Sequence, residues 1–197
     1  MILEGMSAIL LAAGLSRRMG KQDKLLLMQG GKTLLAHAVT LLDSLPCREK
    51  ILVISPQRLA RITLPKGICV VINHNPQAGQ SESLRLGLEK ATGSQYLFLN
   101  ADQPFLSLAA LTPLLTLAKE NVDNIIHPVV NAKPCSPVVF PARFRADLLA
   151  QTGDTGGRAV RAAHPQACLT FEPENPQDFM DIDCLEDYRR LTGGFNR

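Results

Sequence analysis

Two groups of residues in this chain have the types and spacing for work on a polyphosphate. The first is Leu11-Ala12-Ala13-Gly14-Leu15-Ser16-Arg17-Arg18-Met19-Gly20-Lys21-Gln22-Asp23-Lys24, which follows an apolar run. Small side chains at 12 to 14 remove bulk from the end of a strand, so a flat base or a phosphate chain can approach the backbone. Successive amides in such a turn can line an anion, and Arg18 and Lys24 add positive charge beside them. The second group is acidic. Asp102 stands just past the apolar run Leu97-Phe98-Leu99, and Asp181-Ile182-Asp183 lies near the carboxyl end. Magnesium beside a triphosphate prefers hard oxygen ligands and takes one or two carboxylates, with water and phosphate completing its shell. Asp102 suits that task. Alternation across a short strand at Met180–Ile182 would turn Asp181 and Asp183 to one side.

Each group has a plainer reading. The loop could be a basic surface turn. Asp102 could cap the helix that follows, although Pro104 and Ser107 could serve that turn without it. Asp183 could be the N-cap of the last helix, with Glu186 closing a capping box. Two other phosphate motifs are excluded. Gly14 and Gly20 lie one residue too far apart for a P-loop, and Lys21 precedes Gln22 where Ser or Thr is required. The dinucleotide pattern Gly-x-Gly-x-x-Gly is absent.

Two further segments could hold a ligand. In Asn75-Pro76-Gln77-Ala78-Gly79-Gln80-Ser81-Glu82-Ser83-Leu84, Gly79 permits a tight turn and Ser81 and Ser83 can donate or accept hydrogen bonds. Gln80 or Ser81 could instead cap a helix. In Thr152-Gly153-Asp154-Thr155-Gly156-Gly157-Arg158, glycines ahead of a helix and the nearby Arg158 could hold a phosphate. A cap at Asp154 or Thr155 is the alternative. The histidines at 37, 74, 127 and 164 show no ligand spacing, and no Ser-His-Asp or Cys-His grouping is visible.

The elements that must position these groups alternate in kind, which is the signature of a parallel sheet covered by helices. Strands are expected at Ser7–Ala12, Ile51–Ile54, Ile68–Ile72, Tyr96–Leu99, Ile125–Val130, Pro137–Phe140 and Ala167–Phe171. Helices are expected at Thr33–Leu42, Ser81–Ala91, Leu108–Lys119, Arg143–Leu149, Gly157–Ala163 and Leu185–Leu191, with Pro113 near a first turn and a Lys133-Pro134 turn between two strands. The loop at 12–24 then falls at the carboxyl end of the first strand, where open α/β sheets bind ligands. One domain over residues 1–197 is expected, with 1–5 and 192–197 as loose ends.

Composition narrows the function. With 197 residues, 46% hydrophobic and 20% charged, the chain suits a single globule with one sizeable core. No Trp and only two Tyr argue against a stacking surface for single-stranded nucleic acid, and a net charge of +3 does not itself imply nucleic acid. The five cysteines are odd in number and form no Cys-x-x-Cys pair, which argues against a zinc site or a disulfide framework. The run Ala8–Ala13 has the wrong polarity for a signal peptide, because Glu4 precedes it and Arg17, Arg18 and Lys21 follow. No apolar run approaches the roughly 20 residues that span a bilayer. A cytoplasmic protein with no membrane or nucleic-acid partner is the expectation.

The loop Ala-Ala-Gly-x-Ser-x-Arg-Met-Gly followed by Lys resembles the signature of molybdenum cofactor cytidylyltransferases and their guanylyltransferase relatives. The resemblance runs from about Ala8 to Leu191. It implies a three-layer αβα, Rossmann-like fold with a mostly parallel mixed sheet, of the nucleotide-diphospho-sugar transferase type. It also assigns residues. Asn100-Ala101-Asp102-Gln103-Pro104 is similar to the family's Gly-Asp-x-Pro, whose Asp binds magnesium. Asp181-Ile182-Asp183-Cys184-Leu185-Glu186-Asp187 is similar to Asp-Ile-Asp-Thr-Pro-Glu-Asp, which makes Asp183 the second metal ligand with Asp181 close behind. The segment from Asn75 to Leu84 is similar to one lying near base and ribose. The nucleotide set is thus Leu11, Ala12, Ala13, Gly14, Ser16, Arg18, Lys24, Gly79, Ser81 and Ser83. On the acceptor side, Ser136-Pro137 stands where Gly-His-Pro is frequent, and Gly156 and Arg158 match a Gly-Asp-x-Gly-x-Arg loop.

The implied reaction is magnesium-dependent transfer of CMP from CTP to molybdenum-bound molybdopterin, with pyrophosphate leaving. Arg18, Lys24 and Asp102 are the catalytic residues, and a molybdenum hydroxylase would receive the product. The Ala12-Ala13-Gly14 form, rather than Ala-Gly-Gly, leans toward cytidylyl transfer. Guanylyl transfer, a sugar- or polyol-phosphate acceptor and a non-catalytic cofactor carrier are the alternatives.

Overall fold

The short aliphatic runs become strands and the segments with helical periodicity become their covers. In the computed structural model, which describes residues 3–16, 19–20 and 22–193, the first half runs β1 (Leu3–Ala12), β2 (Met28–Gln29), β3 (Lys32–Thr33), α1 (Leu34–Ser44), β4 (Cys47–Ile54), α2 (Pro56–Leu59), β5 (Cys69–Ile72), α3 (Gln80–Lys90) and β6 (Gln95–Asn100). The second half adds α4 (Leu108–Glu120), β7 (Ile125–Val130), β8 (Lys133–Pro134), β9 (Val138–Pro141), α5 (Arg145–Leu149), α6 (Arg158–Ala163), β10 (Cys168–Phe171) and α7 (Leu185–Thr192).

The main sheet is ordered β10-β7-β9-β6-β1-β4-β5, with β8 paired to β7. The pairs β1–β4, β1–β6, β4–β5 and β7–β10 are parallel, whereas β9 runs antiparallel between β6 and β7. Alternation along β1 sends Ala8, Leu10 and Ala12 into a core with Leu34, Leu35 and Leu42 of α1 and Leu111, Leu114 and Leu115 of α4. Ile9 faces the other way, into a core with Leu84 and Leu88 of α3, Leu148 of α5 and Val160 of α6. The result is three layers with the sheet in the middle. Each large aliphatic side chain buried there contributes roughly 1.5–3 kcal/mol, so β1 and its neighbours form the stable frame for the loops. Among the described residues no helix is long and apolar enough to cross a membrane.

Several boundaries differ from the sequence reading. β1 begins at Leu3, which pairs with Cys47, so residues 3–5 belong to the sheet and are no loose extension. Likewise Thr192 is the last residue of α7. Lys133-Pro134 is a strand; the turn is Asn131-Ala132, both with positive φ, as a two-residue hairpin turn requires. Met180–Ile182 forms no strand. Pro113 lies inside α4, past the first turn. The parallel strands β1, β4, β5 and β6 all end on one edge, at Ala12, Ile54, Ile72 and Asn100, and the loops that follow them build the cleft.

Candidate active site

Three segments distant in sequence are fastened together at that edge. The turn after β6 is tied to β1 by the Ala101 amide, which donates to the Leu11 carbonyl (3.3 Å). The segment before α7 is tied to the same turn by the Ile182 amide, which donates to the Asp102 carbonyl (2.9 Å). Gln103 is a buried hub whose Nε2 donates to the carbonyls of Phe179 (2.8 Å) and Ser136 (3.0 Å). Ile182 is fully buried, and Asp181 and Asp183 on either side of it face the cleft. The alternation expected of a strand is therefore kept, with that one amide standing in for a ladder.

Lys24 arrives from the other side. It opens a single 3-10 turn, Lys24–Leu26, capped by Asp23, whose Oδ1 accepts from the Leu25 amide (3.1 Å). Its Nζ lies 2.5 Å from Asp102 Oδ2 and 3.4 Å from Asp183 Oδ1. Burial works to lower the Lys24 pKa, but Asp102 and Asp183 outweigh it and the pKa is raised. The lysine is therefore held fully charged. Asp102 Oδ1 is buried without a hydrogen-bond partner among the described residues.

These residues line a cleft of 460 Å³ together with Leu11, Gly14, Ser16, Gly79, Ser83 and Arg158. Asp181 is exposed to the cleft, yet it stands deep within it. Desolvation, then the neighbouring carboxylates Asp102 and Asp183, push its carboxyl up to about 7. A second lobe of 430 Å³ lies beyond Gly14, Leu15 and Pro76, lined by Ala13, Asp23, Ser55, Gln57, Asn73, His74 and Gln77.

Capping does not account for the acids. Ser107 caps α4 by accepting from the Ala110 amide (3.2 Å), so Asp102 is not its cap. At α7 the N-cap is Cys184, and Asp187, one residue beyond Glu186, accepts from the Asp183 and Cys184 amides. Nor does Asp154 or Thr155 cap α6, whose N-cap is Gly157 with no side-chain bond. Asp154 instead accepts from the Gln80 amide at the start of α3 (3.2 Å). That helix follows Gly79 as its N-cap, so neither Gln80 nor Ser81 caps it.

Some expected ligand residues stand elsewhere. Ala12 is buried and its carbonyl accepts from Arg58. Ala13 belongs to the second lobe. Ser81 is buried off the cleft and donates to the Gly153 carbonyl (2.7 Å). Ser83 reaches the cleft but also accepts from Asn73 Nδ2 (2.9 Å). Ser136 and Pro137 do not line the main cleft, and Ser136 Oγ accepts from Asn100 Nδ2 (3.1 Å) at its margin. Gly156 packs against Gln80 rather than opening on the cleft. Arg18 lies outside the described residues. Gly79 is needed for two reasons: its φ is +94°, and a Cβ there would sit 2.4 Å from the Gly153 carbonyl.

Sequence reasoning missed Arg58, Asn100, Gln103 and the bridge from Asp154 to Gln80. For Arg58 there was a signal. It follows Ser55-Pro56 directly after an apolar strand, at the same edge of the sheet as the glycine loop.

A sheet with a lysine and carboxylates gathered in the crevice beyond its strand ends fits a nucleotidyltransferase. Residues 8–168 match the MobA-like NTP transferase domain, and the chain belongs to that family. It is 33% identical to a molybdenum cofactor guanylyltransferase of Bradyrhizobium sp., over 91% of this chain and 88% of the relative. It is 26% identical to the nicotine blue oxidoreductase of Paenarthrobacter nicotinovorans, over 94% and 95%. Among solved structures, Rv0371c from Mycobacterium tuberculosis H37Rv superposes with a TM-score of 0.75 at 21% identity, covering 98% of this chain and all of that one.

Proposed function

We propose that the chain transfers CMP from CTP to the phosphate of a molybdopterin-type acceptor and releases pyrophosphate. The observation that carries this reading is Lys24 set between Asp102 and Asp183 in a cleft of 460 Å³. The acceptor's phosphate oxygen forms a bond to the α-phosphorus, and the bond from that phosphorus to the α,β-bridging oxygen breaks. Its electron pair leaves with pyrophosphate. The attacking oxygen is already ionised, so no strong general base is required. Positioning and charge stabilisation then dominate. In this reaction Lys24 serves the α-phosphate and Arg158 the acceptor's phosphate, both from the cleft lining; the role expected of Arg18 falls outside the described residues.

The residues fit a magnesium ion. The unpartnered Asp102 Oδ1 and the Asp183 carboxylate are hard oxygens that line the cleft beside Lys24. Among the described residues no group of three or more His, Cys, Asp or Glu is placed to hold a metal ion by itself. Magnesium bound with a triphosphate needs only one or two carboxylates. Asp102 and Asp183 would hold it, and it would supply charge neutralisation on the phosphates.

The base choice rests on the second lobe. Guanine presents two adjacent donors on its pairing edge, which a carboxylate matches best. Cytosine presents two acceptors and a donor, which amides and backbone groups serve. Among the described residues lining this lobe the single carboxylate is Asp23, and Arg58 holds both of its oxygens. Gln57, His74 and Gln77 are exposed there. This supports CTP, whereas the names of the guanylyltransferase relatives point to GTP. A cytoplasmic setting and delivery to a molybdenum hydroxylase complete the proposal.

The test is pyrophosphate release from each of the four NTPs with magnesium, using molybdopterin and a panel of sugar and polyol phosphates. Release with CTP and molybdopterin is expected. GTP preference would overturn the base assignment. Turnover on a sugar or polyol phosphate would overturn the acceptor, and molybdopterin binding without turnover would leave a carrier.

A further inference from the structure

We infer that Arg58 is the positioning residue that sets the shape of the glycine loop and, through Asp23, the place of Lys24. Only 4% of Arg58 is exposed, and it reaches the loop from α2, the short helix after β4. Its guanidinium forks onto one carboxylate, Nε to Asp23 Oδ2 (2.7 Å) and Nη2 to Asp23 Oδ1 (2.8 Å). The outer nitrogens also hold the loop's first half, Nη1 on the Ala12 carbonyl (2.7 Å) and Nη2 on Ser16 Oγ (3.2 Å). Ser16 has a φ of +51°, a conformation that non-glycine residues rarely adopt. One side chain thus fixes the start of the loop, its strained turn and its end.

The link to chemistry is short. Asp23, held by Arg58, caps the turn that begins with Lys24, and Lys24 then meets Asp102 and Asp183. Arg58 is buried while Asp23 is partly exposed, and such an ion pair is a poor source of stability where apolar packing of similar volume would serve. What this pair supplies is a single loop conformation. Lysine cannot replace it, because an ammonium cannot engage a carboxylate, a carbonyl and a hydroxyl in one plane.

The kinetic arm of the test rests on the transferase reading; the structural arm does not. Arg58→Met and Arg58→Lys are compared with the native chain by hydrogen exchange over residues 12–26, by the acylation rate of the Lys24 amine, and by kcat and KM for the magnesium nucleotide. In both variants loop exchange should quicken while β6 exchange stays unchanged. Lys24 acylation should rise, because the amine leaves the two carboxylates that cover it. The kcat/KM should fall about a hundredfold, as expected when a reacting group is misplaced by an ångström, with lysine giving no rescue. Unchanged loop exchange and Lys24 acylation in a folded variant would overturn the inference, whatever the kinetics. If neither variant folds, Asp23→Asn, which keeps the cap on Leu25 and breaks the fork, carries the same three comparisons. A native chain that releases no pyrophosphate from any NTP would end the transferase reading, and exchange and acylation would still decide the role of Arg58.

Discussion

The two lobes of the cleft are built by different means. The charged lobe draws Lys24, Asp102 and Asp183 from three segments far apart in the chain and packs opposite charges within 3.4 Å. The neutral lobe is made mostly by residues directly after β4 and β5, such as Gln57 and His74, whose side chains are exposed. The proposed chemistry at the first depends on this long-range convergence, so single changes there should be costly. If the second lobe takes the base as proposed, recognition there is spread over exposed polar groups, and single changes should tune binding rather than abolish turnover.

That contrast can be broken by substitution. Asp102→Ala should cut pyrophosphate release by about a thousandfold or more while the far-ultraviolet spectrum stays native. Near-normal turnover would remove Asp102 from the mechanism. Lys24→Met should lower kcat by about 100- to 1,000-fold, as removal of one preorganised charge-stabilising donor does. In the neutral lobe, Gln57→Ala or His74→Ala should raise KM by roughly tenfold with kcat nearly kept, the signature of lost uniform binding. A large fall in kcat for either variant would erase the distinction between the lobes.

Two smaller effects sharpen the comparison through stability. Gly79→Ala should cost about 1–3 kcal/mol in denaturant unfolding, because its φ of +94° strains any side chain and the Gly153 backbone cannot step aside. The smallest effect concerns Asp181, whose folded-state carboxyl keeps its proton up to about 7. An unfolded aspartate loses its proton near 4, so between those values the folded state binds more protons. Stability should therefore fall as pH rises from about 4 to about 7 and level off above. Because Asp181 faces the cleft, water screens it, and the midpoint should shift by roughly 2 °C without added metal. Asp181→Asn should flatten that slope, and an unchanged slope would place the proton elsewhere.

The regular half of the molecule was legible in the residues themselves. Ile125–Val130 appears with the bounds read from its apolar pattern, and α1, α3 and α4 differ by a residue or two, because buried faces impose a period. The loop motif and the two acids were legible as types. What failed was local chemistry decided by tertiary neighbours. Nothing in Asp-Ile-Asp-Cys-Leu-Glu-Asp says that Asp187, rather than Glu186, closes the cap. Ser81 looked like a ligand because it is polar beside a glycine, yet the Gly153 carbonyl claims its hydroxyl. The place of Arg58 after a strand puts it at the right edge of the sheet but names none of its partners, which lie 35 or more residues away.

The central claim is that Asp102 and Lys24 converge on one metal–nucleotide. Electron paramagnetic resonance of manganese, standing in for magnesium, tests it most directly in the native chain and in Asp102→Asn. Manganese should become protein-bound when CTP is added, and Asp102→Asn should abolish that signal while the fold persists. Equal manganese–nucleotide binding in both proteins would contradict the account.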